Sequence, residues 1–98
     1  MTFRVLSAAQ RDFIRAVHWY LEDQQTPQSA NRFVTEVDRI YSEIKSDPNR
    51  CPPKYRGLRA WPLTKFPFFI IYRYKEDQIA IASIKHKARD AAYLNRFE

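Results

Sequence analysis

The stretch from Gly57 to Arg89 constrains the fold more than any other part of this 98-residue chain. It contains three short apolar runs separated by little more than turns, and the middle run, Phe68 to Tyr74, is apolar on both faces of an extended strand. Such a strand is covered on both sides or is central in its sheet. The run Gln78 to His86 follows after only three polar residues, a connection that joins antiparallel neighbours. The stretch therefore predicts an antiparallel meander.

The outer strands of the meander carry weaker signals. Leu58 to Lys65 is predicted as the first strand, and Pro62 within it removes one ladder donor, which suits an edge or a bulge. The pair Phe66–Pro67 marks the turn into the middle strand. Strict alternation in the last strand places Ile79 and Ile81 on one face, and it places three other residues on the opposite face: Ala80, Ala82 and Ile84.

An opening strand and a first helix precede the meander. Phe3 to Leu6 alternates weakly and is short enough for one strand. Ser7, with Gln10 three residues later, matches a capping-box start for a helix. Apolar residues at helical spacing then extend this helix from about Ala8 to Asp23.

A second helix follows a short connector, Gln24–Gln25. Thr26 before Pro27 is a start signal, with a cap residue and then proline at the first helical position. The helix ends at Ser46–Pro48, because the residue before a proline is pushed out of the α region. Its apolar stripe has the cleanest period in the sequence: Ala30, Phe33, Val34, Val37, Ile40, Tyr41 and Ile44. Two helices joined by so short a link predict an antiparallel hairpin, whose stripes the meander must cover.

The predicted order is β-α-α-β-β-β, an α+β fold over residues 1–98 as a single domain. The N-terminal strand and the helical hairpin pack on a three- to four-stranded antiparallel sheet, whose other face is predicted to be open and partly basic. The tail, Ala88 to Glu98, is short and semi-helical, and it either folds back or frays.

Several classes of protein are excluded by what the sequence lacks. A single cysteine, Cys51, rules out an internal disulfide, and there is no paired Cys/His set for a zinc site. No signal peptide and no apolar run of about 18 residues is present. We therefore expect a cytoplasmic protein with no cofactor, no metal site and no membrane contact.

The net charge of +6 is concentrated in the second half of the chain. Residues 1–47 hold six Arg/Lys against seven Asp/Glu, whereas residues 48–98 hold eleven against four. A one-sided basic surface usually meets something acidic, such as nucleic acid, an acidic protein segment or a membrane face. The alternative is that the charge serves solubility alone.

Three groups of residues carry a family resemblance that covers nearly the whole chain. They are Trp19–Tyr20 with the A-x-x-F-V-x-x-V run from Ala30 to Val37, then Asp47–Pro48 with G-L-R and K-F-P-F-F-I-I-Y-R-Y, and finally H-K-A-R-D-x-x-Y from His86 to Tyr93. In this order and spacing they resemble the ParE/RelE superfamily of toxins from bacterial toxin–antitoxin pairs. The match is to the ParE-like, plasmid-stabilisation branch.

The resemblance implies a cytoplasmic toxin that a co-expressed antitoxin keeps silent. ParE-like members act on DNA gyrase and block replication, and no catalytic residues are assigned to them. RelE-like members share the fold but cut messenger RNA on the ribosome. In both branches the antitoxin wraps an extended segment around the toxin, and operator DNA is reached only through the antitoxin. Acidic antitoxin segments would suit a basic, partly open sheet.

If the chain were a ribonuclease, its candidate catalytic residues would be His86, Arg59, Arg89 and Tyr93. Cleavage at a 2′-hydroxyl needs a base, an acid and cations for the phosphate charge. His86 is the one plausible titrating base in that region. The simpler interpretation is that His86 ends a strand and has a structural role. The lysine cluster expected before the sheet in the RelE branch is only approximated, by Lys54 and Lys65.

Six cationic residues are candidates for binding the antitoxin or the target: Arg59, Lys65, Arg73, Lys85, Arg89 and Arg96. Arg59 could bridge partner carboxylates at the entry to the meander, or it could be a solvated strand-edge residue. Arg73 lies within a largely apolar strand, so it must point to an open face or have a buried partner.

A third hypothesis is a basic nucleic-acid-binding module without toxicity. It requires exposed aromatic side chains for base stacking, and Trp61, Tyr72 and Tyr74 are the candidates. Packing in the core explains these three residues equally well.

Overall fold

The computed structural model describes residues 1–22 and 27–98. Its helices and strands follow the predicted order: β1 (Thr2–Val5), α1 (Ser7–Glu22), α2 (Pro27–Ser46), β2 (Leu58–Pro62), β3 (Phe68–Lys75), β4 (Gln78–His86), α3 (Ala91–Leu94) and a 3₁₀ turn (Asn95–Phe97). The predicted helix end at Asp23, the connector Gln24–Gln25 and the cap Thr26 lie outside the described residues. No helix in the described ranges is both long enough and apolar enough to cross a membrane.

The four strands form one mixed sheet in the order β1-β4-β3-β2. The meander is antiparallel throughout, as predicted, and the α+β class is confirmed. The opening strand does join the sheet, but it runs parallel to β4, with Thr2 opposite Gln78 and Val5 opposite Ile81. The prediction of a wholly antiparallel sheet is therefore wrong for β1. No hairpin turn links β1 to β4, so connection length did not dictate its direction.

Both helices pack on one face of the sheet, which we call the helix face. The core lies between the helices and this face. Phe33 of α2 is fully buried at its centre, and its ring lies 5.3–5.9 Å from four other aromatic rings: Phe13, Tyr20, Phe66 and Phe68. Aliphatic side chains fill the remainder, among them Val37, Ile40, Ile44, Ile70, Ile79 and Ile81. Core packing therefore accounts for Phe33 and Tyr41 as aromatic members of the α2 stripe.

A β-bulge changes the face assignment of β4. Ile71 lies opposite Ser83 while Tyr72 lies opposite Ile81, so Ala82 is an extra residue in β4. The alternation shifts by one residue at this point, and Ile84 joins Ile79 and Ile81 in the core. The prediction that Ile84 lies on the opposite face is therefore wrong, because strict alternation cannot anticipate an inserted residue.

The start of α1 also differs from the prediction. The Leu6 carbonyl accepts the first helical hydrogen bond, from the Gln10 amide at 3.0 Å, so Ser7 is the first helical residue and not the N-cap. The Gln10 side chain donates to the Val5 carbonyl at 3.1 Å. Further along α1, Asp12 accepts the Ile84 amide at 2.9 Å. Because β1 pairs with β4 only as far as Ile81, this carboxylate serves the β4 edge beyond the end of β1.

Strand β2 ends at Pro62, three residues earlier than predicted. The amide of Thr64 donates to the carboxylate of Glu36 on α2 at 2.7 Å, so the chain has already turned away from the sheet. Pro62 itself lies on an edge strand, as its missing donor requires.

The opposite face of the sheet, the tail face, is partly covered by the C-terminal tail. Phe97 is buried, and its ring lies 5.8 Å from Tyr55 and 5.5 Å from Tyr93. Ile71 is fully buried although it does not belong to the core cluster between sheet and helices. The tail therefore folds back, and only the half of this face that it leaves uncovered is open.

Candidate partner-binding surfaces

Arg59 lies on the helix face, since it is opposite Tyr72 in the sheet. Its Nη1 donates to the Cys51 carbonyl at 2.8 Å, and the Tyr72 hydroxyl donates to the Pro48 carbonyl at 2.9 Å. Its Nε is buried without a partner in the described part of the chain. The half-buried guanidinium thus holds the loop between α2 and β2 against the sheet. A role in binding a partner stays a prediction for this residue.

Cys51 belongs to the same loop and is half-buried. Burial raises the pKa of its thiol, and hydrogen bonding to Tyr72 and the charges of Arg50 and Arg59 only partly oppose this effect. A thiol that stays protonated is a poor nucleophile. Cys51 is therefore suited to packing the loop and not to covalent chemistry.

His86 uses its imidazole to build the turn after β4. Its Nδ1 accepts the backbone amides of Ala88 and Arg89, each at 3.1 Å. The ring packs edge-on against Phe68 with centroids 5.0 Å apart, and the His86 amide donates to Asp90 at 2.7 Å. In a neutral imidazole whose Nδ1 accepts, Nε2 carries the proton. Neither ring nitrogen then offers the free lone pair that a general base needs.

Arg89 and Tyr93 lie in the tail and differ in exposure. Arg89 is exposed, with its Nη2 3.8 Å from the Asp90 carboxylate. Tyr93 is half-buried on the tail face; burial raises its pKa, while a hydrogen bond with Ser83 acts in the opposite direction. The Lys85 ammonium lies 5.3 Å from the Tyr93 ring and 3.9 Å from Asp12.

The structure does not bring the four ribonuclease candidates together. Arg59 lies opposite Tyr72 and His86 lies opposite Phe68, so the two are four residues apart along β3, about 13 Å at the usual rise of a strand. Tyr93 lies on the other face of the sheet. A phosphate could not contact all of these side chains at once.

Lys65 lies at the rim of a polar cleft of about 640 Å³ between α2 and the β2–β3 loop. The cleft is organised by the buried Glu36, which accepts hydrogen bonds from Arg39 at 2.9 Å and from the Thr64 amide. Burial alone would raise the pKa of Glu36, but the hydrogen bonds from Arg39 and from backbone amides outweigh it, so its pKa is lowered. Glu36 therefore joins helix to loop as a carboxylate, a role that sequence reasoning missed.

Arg73 lies on the open half of the tail face, which answers the question of whether it is buried. It is exposed, and one guanidinium nitrogen would lie 3.0 Å from a Cβ at Gly57, which has a φ of +78°. Arg4 of β1 shares this surface and was missed, although the alternation of Phe3, Arg4 and Val5 places it opposite the apolar positions. Arg96 lies over the Tyr55 ring at 5.6 Å, on the tail.

An apolar groove on the helix face was also missed. It has a volume of about 430 Å³ and lies beside the end of β1, where it is lined by Val5, Gln10, Phe13, Ile14, Val37, Asp38 and Tyr41. Ile14 is 55% exposed. Burial and the nearby Asp38 raise the pKa of Tyr41 to about 12. The sequence signal available for this groove was Ile14 itself, an apolar residue that directly follows Phe13 in α1.

Comparison with known proteins agrees with this architecture. Residues 3–91 match the family model of the ParE toxin of the type II toxin–antitoxin system parDE. The chain belongs to this toxin family. Among solved structures, a chain of the chromosomal ParDE toxin–antitoxin system from P. aeruginosa is similar, with a TM-score of 0.76 and 21% identity. The similarity covers 88% of this chain and 95% of that one. No curated protein sequence gives a significant match.

Proposed function

We propose that this ParE-family toxin inhibits DNA gyrase in the cytoplasm and is neutralised by a cognate antitoxin, through which alone it reaches operator DNA. Family membership over residues 3–91 supports the toxin assignment. Gyrase is the target that the ParE branch implies, and inhibition requires binding and not bond cleavage.

The observation that favours a binding toxin over a ribonuclease is how the candidate catalytic residues are hydrogen-bonded and where they lie. The Nδ1 of His86 accepts two amides, and Arg59 is committed to the Cys51 carbonyl. Cleavage of RNA needs a base, an acid and cations within reach of one phosphate. Here these groups lie at separate positions and on different faces, whereas the chain offers a basic face and an apolar groove suited to a protein partner.

Trp61 and Tyr72 are buried in the core, and the remaining stacking candidate, Tyr74, packs against that core. Base stacking requires accessible rings. A general single-strand binder is therefore not the proposed function. The exposed cations Lys65, Arg89 and Arg96 stay candidates for contacts with the target or the antitoxin, together with the half-buried Lys85.

The experiment that tests this proposal is a supercoiling and DNA-cleavage assay with gyrase from the native host and toxin freed of its antitoxin. We expect loss of supercoiling with trapped double-strand breaks, and recovery of supercoiling when the co-expressed antitoxin is added back. Unaffected gyrase together with cleaved messenger RNA on ribosomes would overturn it. His86→Gln would then be the first variant to test for loss of cleavage.

A further inference from the structure

The polar cleft between α2 and the β2–β3 loop has the size and the chemistry of a small-molecule site. Its volume of about 640 Å³ falls within the usual range of ligand cavities, about 300–1,000 Å³. We call it the Glu36 cleft. It is lined by Ser29, Asn31, Arg32, Thr35, Glu36, Arg39, Lys65 and Phe66.

The framework of the Glu36 cleft joins helix to loop. Arg32, Glu36 and Arg39 are spaced by four and three residues, so they lie on one face of α2. The buried Glu36 carboxylate accepts the Thr64 amide at 2.7 Å and Arg39 at 2.9 Å. Arg39 also donates to Glu43 and to the Thr64 hydroxyl. Two carboxylates therefore offset the charge of Arg39, whose side chain is committed to holding the loop against the helix.

Arg32 and Lys65 are the cations that this framework leaves available. Both side chains are exposed, and within residues 1–22 and 27–98 neither has a carboxylate within 4.0 Å. Two cations that line one cavity raise the local positive potential. A phosphate monoester carries a charge of about −1.5 to −2 near pH 7 and has three strong acceptor oxygens. The pair therefore matches a phosphate monoester in charge and in hydrogen-bonding capacity.

Phe66 adds an aromatic wall next to these cations. Its ring lies 5.3 Å from Tyr20 and 5.4 Å from Phe33, so core contacts hold it in place. The ring is only half-buried, and it follows Lys65 directly in the lining of the cleft. An accessible ring beside cationic side chains provides a stacking surface for a base as well as contacts for a phosphate.

The α2 wall of the cleft supplies polar groups for the rest of such a ligand. Asn31 and Thr35 are exposed and line the same cavity, and their amide and hydroxyl groups can bond to sugar hydroxyls. From Asn31 to Arg39 this wall is about 12 Å long at the rise of a helix. An acidic protein segment would use the two cations but not the ring of Phe66. These features favour a nucleotide over an acidic peptide.

We propose that the Glu36 cleft binds a nucleoside monophosphate, with the phosphate between Arg32 and Lys65 and the base against Phe66. Glu36 and Arg39 position the loop so that these three side chains face one cavity. The bound nucleotide bridges α2 and the β2–β3 loop, and it therefore stabilises the folded chain by mass action. This binding activity goes beyond the proposed function and does not depend on it.

The first experiment titrates the full chain with adenosine 5′-monophosphate, adenosine and inorganic phosphate, followed by ¹H–¹⁵N chemical-shift changes and calorimetry. We expect the monophosphate to bind with a Kd of about 0.1–1 mM and each half-ligand to bind at least about tenfold more weakly. The shifts should centre on residues 31–39 and 64–66. Inorganic phosphate that binds as tightly as the nucleotide would overturn the proposal, as would shifts centred outside the cleft.

The double variant Arg32→Gln/Lys65→Gln tests the phosphate contacts. It should weaken binding of the monophosphate about tenfold and leave the affinity for adenosine within about twofold. The matched control, Arg11→Gln/Arg15→Gln, removes the same charge from exposed positions of α1 and should bind the monophosphate within about twofold of the parent chain. Equal losses in the two double variants would show attraction by net charge alone and would overturn the proposal.

Phe66→Leu tests the stacking contact. It should weaken binding of the monophosphate about five- to tenfold while inorganic phosphate is unaffected. Thermal unfolding checks that each variant is folded, and the exposed double variant decides the proposal even if Phe66→Leu does not fold. A hexaglutamate peptide serves as the competitor. If this peptide binds the cleft more tightly than the monophosphate, the cleft is a protein-docking surface and the proposal is wrong.

Discussion

The two faces of the sheet differ in what they bury and in what they leave free. The helix face is sealed by two amphipathic helices around Phe33, with rings and aliphatic side chains in continuous contact. The tail face is partly covered by the short C-terminal tail through Phe97 and is otherwise exposed, with Arg4 and Arg73 free of ion pairs in the described part of the chain. We infer that one face supplies most of the stability and that the other is available for partners.

The largest effect should come from the helix face. Phe33→Ala removes the ring at the centre of the aromatic cluster and leaves a cavity, so we expect the free energy of unfolding to fall by about 3–5 kcal/mol. Urea denaturation followed by circular dichroism measures this loss. Ile14→Ala, at an exposed position of α1, is the control and should change stability by less than about 0.5 kcal/mol. Similar losses in both variants would contradict the central position of Phe33.

A smaller effect is expected on the tail face. Phe97→Ala should lower the free energy of unfolding by about 1–3 kcal/mol, because its neighbours Tyr55 and Tyr93 can close part of the space near the chain end. Hydrogen exchange should show faster exchange at Ile71 and Ser83 while the helices keep their protection. A loss as large as that of Phe33→Ala would mean that both faces form one equally important core.

Glu36 provides a pH-dependent test of the helix face. Its pKa is lowered in the folded chain, so the carboxylate contributes stability that is fully present above its unfolded pKa and is lost as the pH falls through the folded value. We expect Glu36→Gln to destabilise the chain by about 1–2 kcal/mol at pH 7 and to approach the parent chain once the pH falls below the folded pKa of Glu36. Denaturation at several pH values checks this, with Glu22→Gln as an exposed control. A pH-independent difference would contradict the ionic role.

The smallest effect belongs to the open half of the tail face. Arg73→Gln removes an exposed charge with no ion pair within the described residues, so stability should change by less than about 0.5 kcal/mol. Differential scanning calorimetry at moderate ionic strength measures this directly. A clear loss of stability would show that Arg73 holds Gly57 and its turn in place, which would move it from the binding surface to the scaffold.

Sequence periodicity predicted the features that depend on repeated burial. In the apolar stripe of α2, and in β3 with its two apolar faces, several residues support the same prediction. The helices and the meander were therefore predicted correctly. Single local events were not predictable. The extra Ala82 in β4 reverses the face of Ile84, and the β2 strand ends early because Glu36, 28 residues away, takes the Thr64 amide. Such long-range hydrogen bonds leave no periodic signal.

The candidate site was predictable in its residue types but not in its arrangement. Charge asymmetry indicated a basic surface, and Arg73 was predicted either to point to an open face or to have a buried partner; in the structure it is exposed. The neighbouring Arg4 comes from the opposite end of the chain, and only the parallel pairing of β1 with β4 brings it to Ala80. Arg59 and His86 were named as catalytic candidates only for the ribonuclease alternative, with a structural role as the simpler interpretation of His86. In the structure their side chains hold a loop and a turn.

The place of β4 in the sheet has a consequence for synthesis of the chain. This strand is the last of the four to be translated, yet it pairs with both β1 and β3, and its Ile84 amide contacts Asp12 at a separation of 72 residues. Until β4 has been synthesised, β1 has no strand to pair with. The apolar stripes of the two helices also lack much of the sheet surface on which they pack. Contacts this distant in sequence form late and slow folding. A chain interrupted before Gln78 should therefore remain unfolded, so incomplete translation products would not be active toxins.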